Sequence, residues 1–411
     1  MARVQQFDRS EVGAASVTPL GCAGRLASSM APKRLAALFD DSRAEKCLLV
    51  VYVAAALVVT IQRGVFQFAN DFAIFRASFL NLIAGRDLYV LRLDQAHDYF
   101  KYSPSFALLF APFAALPFAV GLFLWNVVNA LALFFALRLL LPRDKAAIAQ
   151  ALVFLPTLRS MQSSQSNALM AALIIFAFVC YERGWLWRAG IAVGLGAVTK
   201  IFPLAALIFA LPRRDRVRAV LISILAIVVL LALPLLVVSP HELVAQYQSW
   251  SALEKTETIQ LGSSVMGLFR DAGLGWPAWP IQLAGCAILL YGLLARLRDW
   301  DDRMVRLQLL AFVMVFCVIF NHRAERQSAV IAISGLVIWY LASPRAAWRT
   351  SLFVIVYALV SLTGTGFIPG AIKRILVHQV RFPIPLTVLW LAMLGDLARA
   401  RGERRAAAET D

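Results

Sequence analysis

The sequence is poor in charge and poor in cysteine. Only 16% of its 411 residues are charged, whereas 61% are hydrophobic, a balance that excludes an ordinary soluble domain and is typical of a polytopic membrane protein. The five cysteines are far apart and fit neither a metal site nor a disulfide framework. The net charge of +16 comes from short basic clusters between apolar runs. Such clusters indicate membrane topology and argue against a nucleic-acid-binding face.

Apolar runs alternate with arginine-rich connections along most of the chain. Residues 1–46 are polar and basic and are predicted to form a disordered cytoplasmic tail, because the first apolar run starts too late for a cleaved signal peptide. The region 47–399 predicts an all-α domain of about twelve transmembrane helices with both termini in the cytoplasm. Residues 400–411 are predicted to form a second cytoplasmic tail. Five connections are then predicted to lie outside: 62–103, 159–166, 239–279, 321–327 and 367–382.

The stretch Asn70–Tyr89 follows the first apolar run and predicts an amphipathic helix in the first outer connection. Its apolar side chains recur at helical spacing, and a helix of this kind lies along a membrane surface. Asn70 or Asp71 can cap its start, and Gly85 can end it. The Asp71 carboxylate is thus either a helix cap or a catalytic base. The proline-broken run 102–116 is predicted to be a re-entrant or surface helix.

Charge is nearly absent from the middle of the predicted spans. A charged side chain at the bilayer centre costs about 2.5–3.5 kcal/mol on insertion scales and usually marks a transport path. Its absence argues against an ion-coupled transporter and favours chemistry at the outer surface. Lys200 lies on the side that positive charge usually avoids, so it is either a snorkelling lysine or a functional cation. The predicted topology also places every histidine outside: His97, His241, His322 and His378.

A set of short motifs follows one fixed order along the chain. The motifs are Asp71 in the first outer connection, Gly85-Arg86-Asp87-Leu88-Tyr89, Tyr102-Ser103-Pro104, Leu116-Pro117 followed by Trp125, Gln165-Ser166-Asn167, and Ala189-Gly190 followed by Lys200-Ile201-Phe202-Pro203. Together they resemble glycosyltransferase family 87, whose members use polyprenyl-phosphate sugars, have the GT-C fold and include bacterial α-mannosyltransferases. Two departures stand out: Ser164 replaces a glycine of the family's Gly-Gln-x-Asn motif, and the segment 262–270 lacks an asparagine.

The resemblance implies a GT-C-like glycosyltransferase in the bacterial plasma membrane. It implies transfer of a sugar, with mannose the expected one, from a polyprenyl-phosphate donor to a hydroxyl on a lipid or glycan at the outer face, with inversion of the anomeric carbon. No nucleic acid is expected as a partner. The alternatives are a polytopic transporter or lipid flippase, which would usually show internal repeats and polar midplane residues, and a non-catalytic scaffold subunit.

The implied chemistry assigns roles to particular side chains. An acceptor hydroxyl needs a base, and the candidate is Asp71. The leaving phosphate needs positive charge or hydrogen-bond donors, and the candidates are Lys200, His322 and Arg270. The candidates for orienting sugar hydroxyls are Gln165, Asn167 and Tyr102, whereas Asp87 is expected to be structural. One outer carboxylate beside several cations does not require a metal ion or another cofactor, although some GT-C enzymes use a divalent metal.

Overall fold

The computed structural model describes residues 42–256, 263–363 and 382–408, and every regular element in them is helical. In chain order the helices are α1 (Ser42–Gly64), α2 (Asn70–Ile83), α3 (Pro104–Leu109), α4 (Ala111–Ala114), α5 (Phe118–Leu140), α6 (Arg143–Gln162), α7 (Asn167–Glu182), α8 (Leu186–Thr199), α9 (Arg216–Ala232), α10 (Pro240–Thr256), α11 (Val265–Asp271), α12 (Ala278–Ala295), α13 (Arg303–Ile319), α14 (Ala329–Ala342), α15 (Ala347–Tyr357) and α16 (Pro383–Ala408). The predicted all-α class is confirmed for these residues.

Within the described part of the chain, four helical stretches are long and apolar enough to cross a bilayer: Arg43–Gly64, Phe118–Leu140, Arg216–Leu236 and Ala278–Ala295. Several other apolar helices are shorter, among them α7, α8 and α14. A helix of 14 residues, such as α8, is only about 21 Å long at 1.5 Å per residue. The apolar helices make the chain an integral membrane protein, but the predicted count of about twelve spans is not confirmed.

Arginine-rich connections gather at one end of the bundle, which we call the arginine end. The guanidinium of Arg303, at the start of α13, donates a hydrogen bond of 2.7 Å to the carbonyl of Leu140 at the end of α5. Arg306 pairs with Glu182, at the end of α7, over 2.6 Å. Because α7 and α13 run away from these contacts, their other ends lie together at the opposite end of the bundle.

Helices α8 and α9 pack unusually closely. A Cβ atom added to Gly190 would lie 3.2 Å from the backbone of Ser223, and one added to Gly194 would lie 2.7 Å from the side chain of Leu230. Small residues four apart allow this approach of two helix backbones, as in membrane helix pairs generally. The contact fixes the course of α8, which ends directly before Lys200.

The ends of α2 differ in part from the sequence prediction. Ala69 is the N-cap residue, and no side chain makes a capping hydrogen bond there, so the prediction that Asn70 or Asp71 caps the helix is wrong. The Asn70 side chain instead accepts a hydrogen bond from the backbone of His97. Gly85 ends the helix as predicted, because its φ of +65° is the left-handed conformation that a helix C-terminus uses. The helix itself stops at Ile83, short of Tyr89.

The apolar face of α2 packs against protein. Phe72 and Phe75 are almost fully buried, and the Phe75 ring contacts the rings of Phe106, Phe110 and Trp125 edge-on at 5.0–6.0 Å. Of the apolar face predicted from helical periodicity, Phe72, Phe75 and Leu82 are buried, whereas Ile83 is 52% exposed. The partner of that side is an aromatic cluster formed with α3 and α5, rather than lipid. As predicted, the run 102–116 is not one span, and it contains the short helices α3 and α4.

Candidate active site

A cavity of about 1000 Å³ opens at the end of the bundle opposite the arginine end. It is lined by residues of four predicted outer connections, 62–103, 159–166, 239–279 and 321–327, together with the turn after α8. The fifth connection, 367–382, with His378, falls almost entirely outside the described residues. Six lining side chains matter most for the chemistry: Asp71, Tyr102, Gln165, Lys200, His322 and Glu325. Segments far apart in sequence therefore converge on one cavity.

Lys200 presents its ammonium group to this cavity through neutral partners. Its Nζ donates hydrogen bonds to Asn167 Oδ1 at 2.8 Å and to Gln165 Oε1 at 3.2 Å, and lies 5.7 Å from the centre of the Tyr102 ring. Among the described residues Lys200 forms no ion pair. Burial lowers the pKa of Lys200, whereas the charges of Glu325 and Asp71 act in the opposite direction. A half-buried cation without a carboxylate partner can bind an anionic ligand.

Gln165 is held by the turn that ends α6. Ser164 has a φ of 53°, and the backbone N–H of Gln165 reaches back to the carbonyl of Ser160 over 3.1 Å. This pattern is a Schellman motif, whose left-handed position is usually glycine. A left-handed residue is needed at this position, which explains why the Gly-Gln-x-Asn motif has glycine where this chain has Ser164. The Ser164 carbonyl also accepts a 2.7 Å hydrogen bond from Trp125 Nε1.

Asp71 lies in the first turn of α2 and lines the cavity. Burial, reinforced by the negative charge of Glu325, raises the pKa of Asp71 to about 6, while the nearby Gln165 amide and the Lys200 charge lower it. A carboxyl group with this pKa is ionised above pH 6 yet accepts a proton more readily than an ordinary aspartate. The carboxylate does not cap its helix, and it faces the cavity beside the Gln165 amide.

Glu325 is a residue that sequence reasoning missed. Its Oε2 accepts a hydrogen bond of 2.8 Å from Gln165 Nε2, and the exposed side chain lines the cavity. Gln165 thus connects the Lys200 ammonium to the Glu325 carboxylate. The available signal was a lone carboxylate in the connection 321–327, but it belongs to none of the recognised motifs.

Two arginines on the cavity wall were also missed. Arg159 and Arg326 both line the cavity, and the positive charge of Arg326, added to burial, lowers the pKa of Arg159. Neither guanidinium makes a hydrogen bond or ion pair within the described residues. Two guanidinium groups held near each other in this way produce a strongly positive region of the wall, which favours an anion.

The remaining predicted site residues differ in how they meet the cavity. Tyr102 lines it and packs edge-on against Phe75 at 5.0 Å. His322 also lines it, and burial lowers the pKa of His322, so its imidazole is mostly neutral at pH 7. Asn167 is fully buried and supports Lys200 and Gln165 from behind the wall. Arg270 is exposed on α11, 3.4 Å from Asp271, and is not part of the lining.

Asp87 has the structural role expected from sequence. One of its carboxylate oxygens accepts from the Tyr89 backbone at 2.9 Å and the other accepts from the Ser249 hydroxyl at 2.9 Å. The amide of Gln246 bridges to the same loop through the carbonyl of Arg86. These contacts fasten the loop after α2 to α10 and so hold one wall of the cavity.

Comparison with known proteins identifies the family. The model of glycosyltransferase family 87 matches residues 100–320, more than half of the chain. The matched residues include Tyr102, Gln165 and Lys200, whereas Asp71 precedes the matched range and Glu325 follows it. No curated protein matches the chain. By this match the chain belongs to glycosyltransferase family 87 and is a sugar-transferring enzyme of a membrane.

Proposed function

We propose that the cavity transfers mannose from a polyprenyl-phosphate donor to a hydroxyl group of a lipid or glycan, with inversion at the anomeric carbon. The observation that supports it best is the pairing of two opposite functions in one cavity. Asp71 is a carboxylate with a raised pKa, and Lys200 is a cation held by neutral groups only. Inverting transfer needs a base for the acceptor and positive charge for the departing phosphate.

Asp71 acts as the base in this proposal. The acceptor hydroxyl gives its proton to the Asp71 carboxylate while its oxygen forms a bond to the anomeric carbon. The bond from that carbon to the donor phosphate breaks, and its electron pair leaves with the phosphate. A positioned carboxylate typically contributes about 10²–10⁴-fold to such a step. The pKa of about 6 keeps the base ionised at neutral pH and still able to take up the proton.

Lys200 and the arginines stabilise the leaving phosphate. Lys200 can donate to a phosphate oxygen without giving up an ion pair, and Arg159 with Arg326 supplies a second positive region in the same wall. Charge-assisted hydrogen bonds to phosphate are about twice as strong as neutral ones. His322 contributes a neutral donor. The proposal gives no role to Arg270 and no step to a metal ion.

The sugar and the prenyl chain are bound by neighbouring groups. Gln165 and Tyr102 lie on the wall and orient sugar hydroxyls, while Asn167 keeps Gln165 and Lys200 in place. Ile201, next to Lys200, exposes 62% of its surface at the rim. Apolar contact there stabilises a prenyl chain by about 0.8 kcal/mol per buried CH₂ group. We infer that the reaction takes place at the outer face of the plasma membrane and that both chain termini are in the cytoplasm, because arginine-rich connections favour the cytoplasmic side.

The decisive experiment offers purified full-length protein a panel of polyprenyl-phosphate sugars and identifies the product and its anomeric configuration. We expect transfer of mannose with inversion, equal rates with and without EDTA, and almost complete loss in Asp71→Asn. Asp94→Asn, which removes an exposed carboxylate outside the cavity lining, is the matched control. Movement of the donor across vesicles without any new glycosidic bond would favour the transporter alternative.

A further inference from the structure

A second cavity lies at the arginine end, far from the proposed reaction. It has a volume of about 520 Å³ and runs along the surface beside α8 and α9. Trp187 of α8 forms one wall, and the start of α9 with the turn before it supplies Arg214, Val217, Arg218 and Leu221. We call it the arginine groove.

The guanidinium groups of the arginine groove lack acidic partners. Asp215, the carboxylate in its lining, is held by Arg213 through hydrogen bonds of 2.7 and 3.0 Å. Arg214 and Arg218 make neither a hydrogen bond nor an ion pair within the described residues. By contrast, Arg306 at the same end is paired with Glu182. The groove therefore carries positive charge that the protein itself does not balance.

An apolar strip runs beside these arginines along α9. Val217, Leu221 and Leu225 follow one another at four-residue spacing, which puts them on one helix face, and they are 67%, 59% and 48% exposed. Trp187 stands beside them and is 55% exposed. Tryptophan prefers the boundary between lipid headgroups and acyl chains. The groove thus combines two arginine side chains, a tryptophan and an exposed apolar helix face.

We propose that the arginine groove is a binding site for an anionic phospholipid. Arg214 and Arg218 would bind the headgroup phosphate, and one acyl chain would lie along Val217, Leu221 and Leu225. Basic pockets between membrane helices bind anionic headgroups in this way. A zwitterionic lipid fits the apolar strip equally well but brings a positive group toward the arginines, so the groove discriminates by headgroup charge.

The test measures lipid retained by full-length protein in native mass spectrometry. The probes are phosphatidylglycerol and phosphatidylcholine with identical acyl chains. Wild type should retain phosphatidylglycerol preferentially, and the double variant Arg214→Gln/Arg218→Gln should bind it at least about tenfold more weakly. The matched control is Arg345→Gln, which changes an exposed arginine on another connection and should have no effect. Thermal unfolding checks that all variants are folded.

Three results would overturn this inference. The first is equal retention of phosphatidylglycerol by wild type and the double variant. The second is an equal loss in Arg345→Gln, since that would indicate attraction to net charge alone. The third is full displacement of phosphatidylglycerol by millimolar glycerol phosphate, because a site for the free anion would not need the apolar strip. Loss of both lipids together in Leu221→Asn, with Arg345→Gln unaffected, would support the assigned chain position.

Discussion

At the scale of single residues, the ionisation of Asp71 should set the pH dependence of transfer. The base must be unprotonated, so the rate should rise with pH, be half-maximal near pH 6 where the pKa of Asp71 lies, and then level off. The measurement is kcat/KM for the acceptor between pH 4.5 and about 8. A half-maximal point near the ordinary aspartate value would show that another group limits the rate.

The same pKa shift predicts that ionised Asp71 lowers the free energy of unfolding. Its pKa is raised from 3.8 to about 6 in the folded protein, so the folded state holds the proton more tightly than the unfolded state does. The free energy of unfolding therefore falls as pH rises from about 4 to 6, and the loss is complete above that range. Asp71→Asn should raise stability at pH 7.5 by about 1–3 kcal/mol and leave it nearly unchanged below pH 4. Thermal unfolding at both pH values checks this, and a destabilised variant would contradict it.

Glu325 should act through the ionisation of Asp71. Glu325→Gln keeps an oxygen that can accept from Gln165 and removes the negative charge that helps to raise the pKa of Asp71. The acid limb of the pH–rate profile should therefore move to lower pH. Asp98→Asn is the matched control, since Asp98 lines the same cavity but raises the pKa of Asp71 least, so its shift should be smaller. If Glu325→Gln lowers the rate at every pH but leaves the midpoint of the pH–rate profile unchanged, Glu325 has a structural role only.

Removing the charge of Lys200 should reduce transfer more than removing the charge of Lys101, which lines the same cavity. Lys200→Met keeps the apolar stem and removes a charge-assisted hydrogen bond, a loss of roughly 1.5–3 kcal/mol or about 10–150-fold. If Lys200 already contacts the donor phosphate in the bound state, the loss raises KM for the donor. If Lys200 binds only the charge that develops in the transition state, the loss lowers kcat. Lys101→Met is the control because Lys101 lines the same cavity but is paired with Asp98 at 3.1 Å. Unchanged kinetics in Lys200→Met would make Lys200 a snorkelling side chain.

Residue types and motif order were enough to select Asp71, Lys200, Gln165, Tyr102 and His322, and all five line one cavity. Each lies in a predicted outer connection or at the end of an apolar run, where polar groups are unusual. Glu325, Arg159 and Arg326 were missed because their importance depends on what the folded chain brings beside them. Arg270 is absent from the lining of this cavity, because residue type and position in an outer loop do not fix which side chains reach a cavity, and a role for it stays a prediction.

At the scale of elements, the turns that end α2 and α6 provide a matched pair. Both use a left-handed residue, Gly85 in one and Ser164 in the other. The Ser164 hydroxyl is also buried and has no hydrogen-bond partner in the part of the chain that the structure describes. Ser164→Gly should therefore stabilise the protein by about 1 kcal/mol, and Gly85→Ala should destabilise it by a similar amount. Thermal unfolding measures both changes, and a destabilised Ser164→Gly would mean that the hydroxyl has a favourable role.

Sequence periodicity located α2 but could not identify what covers it. An apolar stripe satisfies the same pattern whether it meets lipid or an aromatic cluster, and the ring contacts of Phe75 arise from segments about thirty or more residues away in the chain. The N-cap prediction failed for a local reason. The N-cap is Ala69, one residue before Asn70 and two before Asp71, so Asp71 lies inside the first helical turn.

At the scale of the whole molecule, the bundle has two chemically different ends. Cysteine introduced by His241→Cys should react with a membrane-impermeant maleimide in intact cells, because the predicted topology places that loop outside. Cysteine introduced by Arg345→Cys, at an exposed site of the arginine-rich connections, should react only after permeabilisation. Both changes are made in a cysteine-free chain. The opposite labelling pattern would reverse the orientation and place the reaction on the cytoplasmic face.

Charge clusters predicted the separation of these two ends better than they predicted the number of spans. Arginine marks an end of the bundle regardless of how long the intervening helix is. The span count depends on length, and α7, α8 and α14 have 16, 14 and 14 residues, close to the lengths of ordinary buried helices. Sequence alone cannot separate a short span from a half-helix that stops at a cavity.

The shortness of α8 has a consequence for depth. Its 14 residues reach about 21 Å, whereas the hydrocarbon layer is about 30 Å thick. If Leu186 starts at one boundary of that layer, Lys200 ends roughly 9 Å below the other. The cavity then forms a water-filled recess below the membrane surface, and the prenyl-linked donor proposed above would reach its floor with its tail still in the hydrocarbon layer. A lipid-anchored hydroxyl arrives at the same depth by lateral diffusion, while a free sugar must descend from the water above.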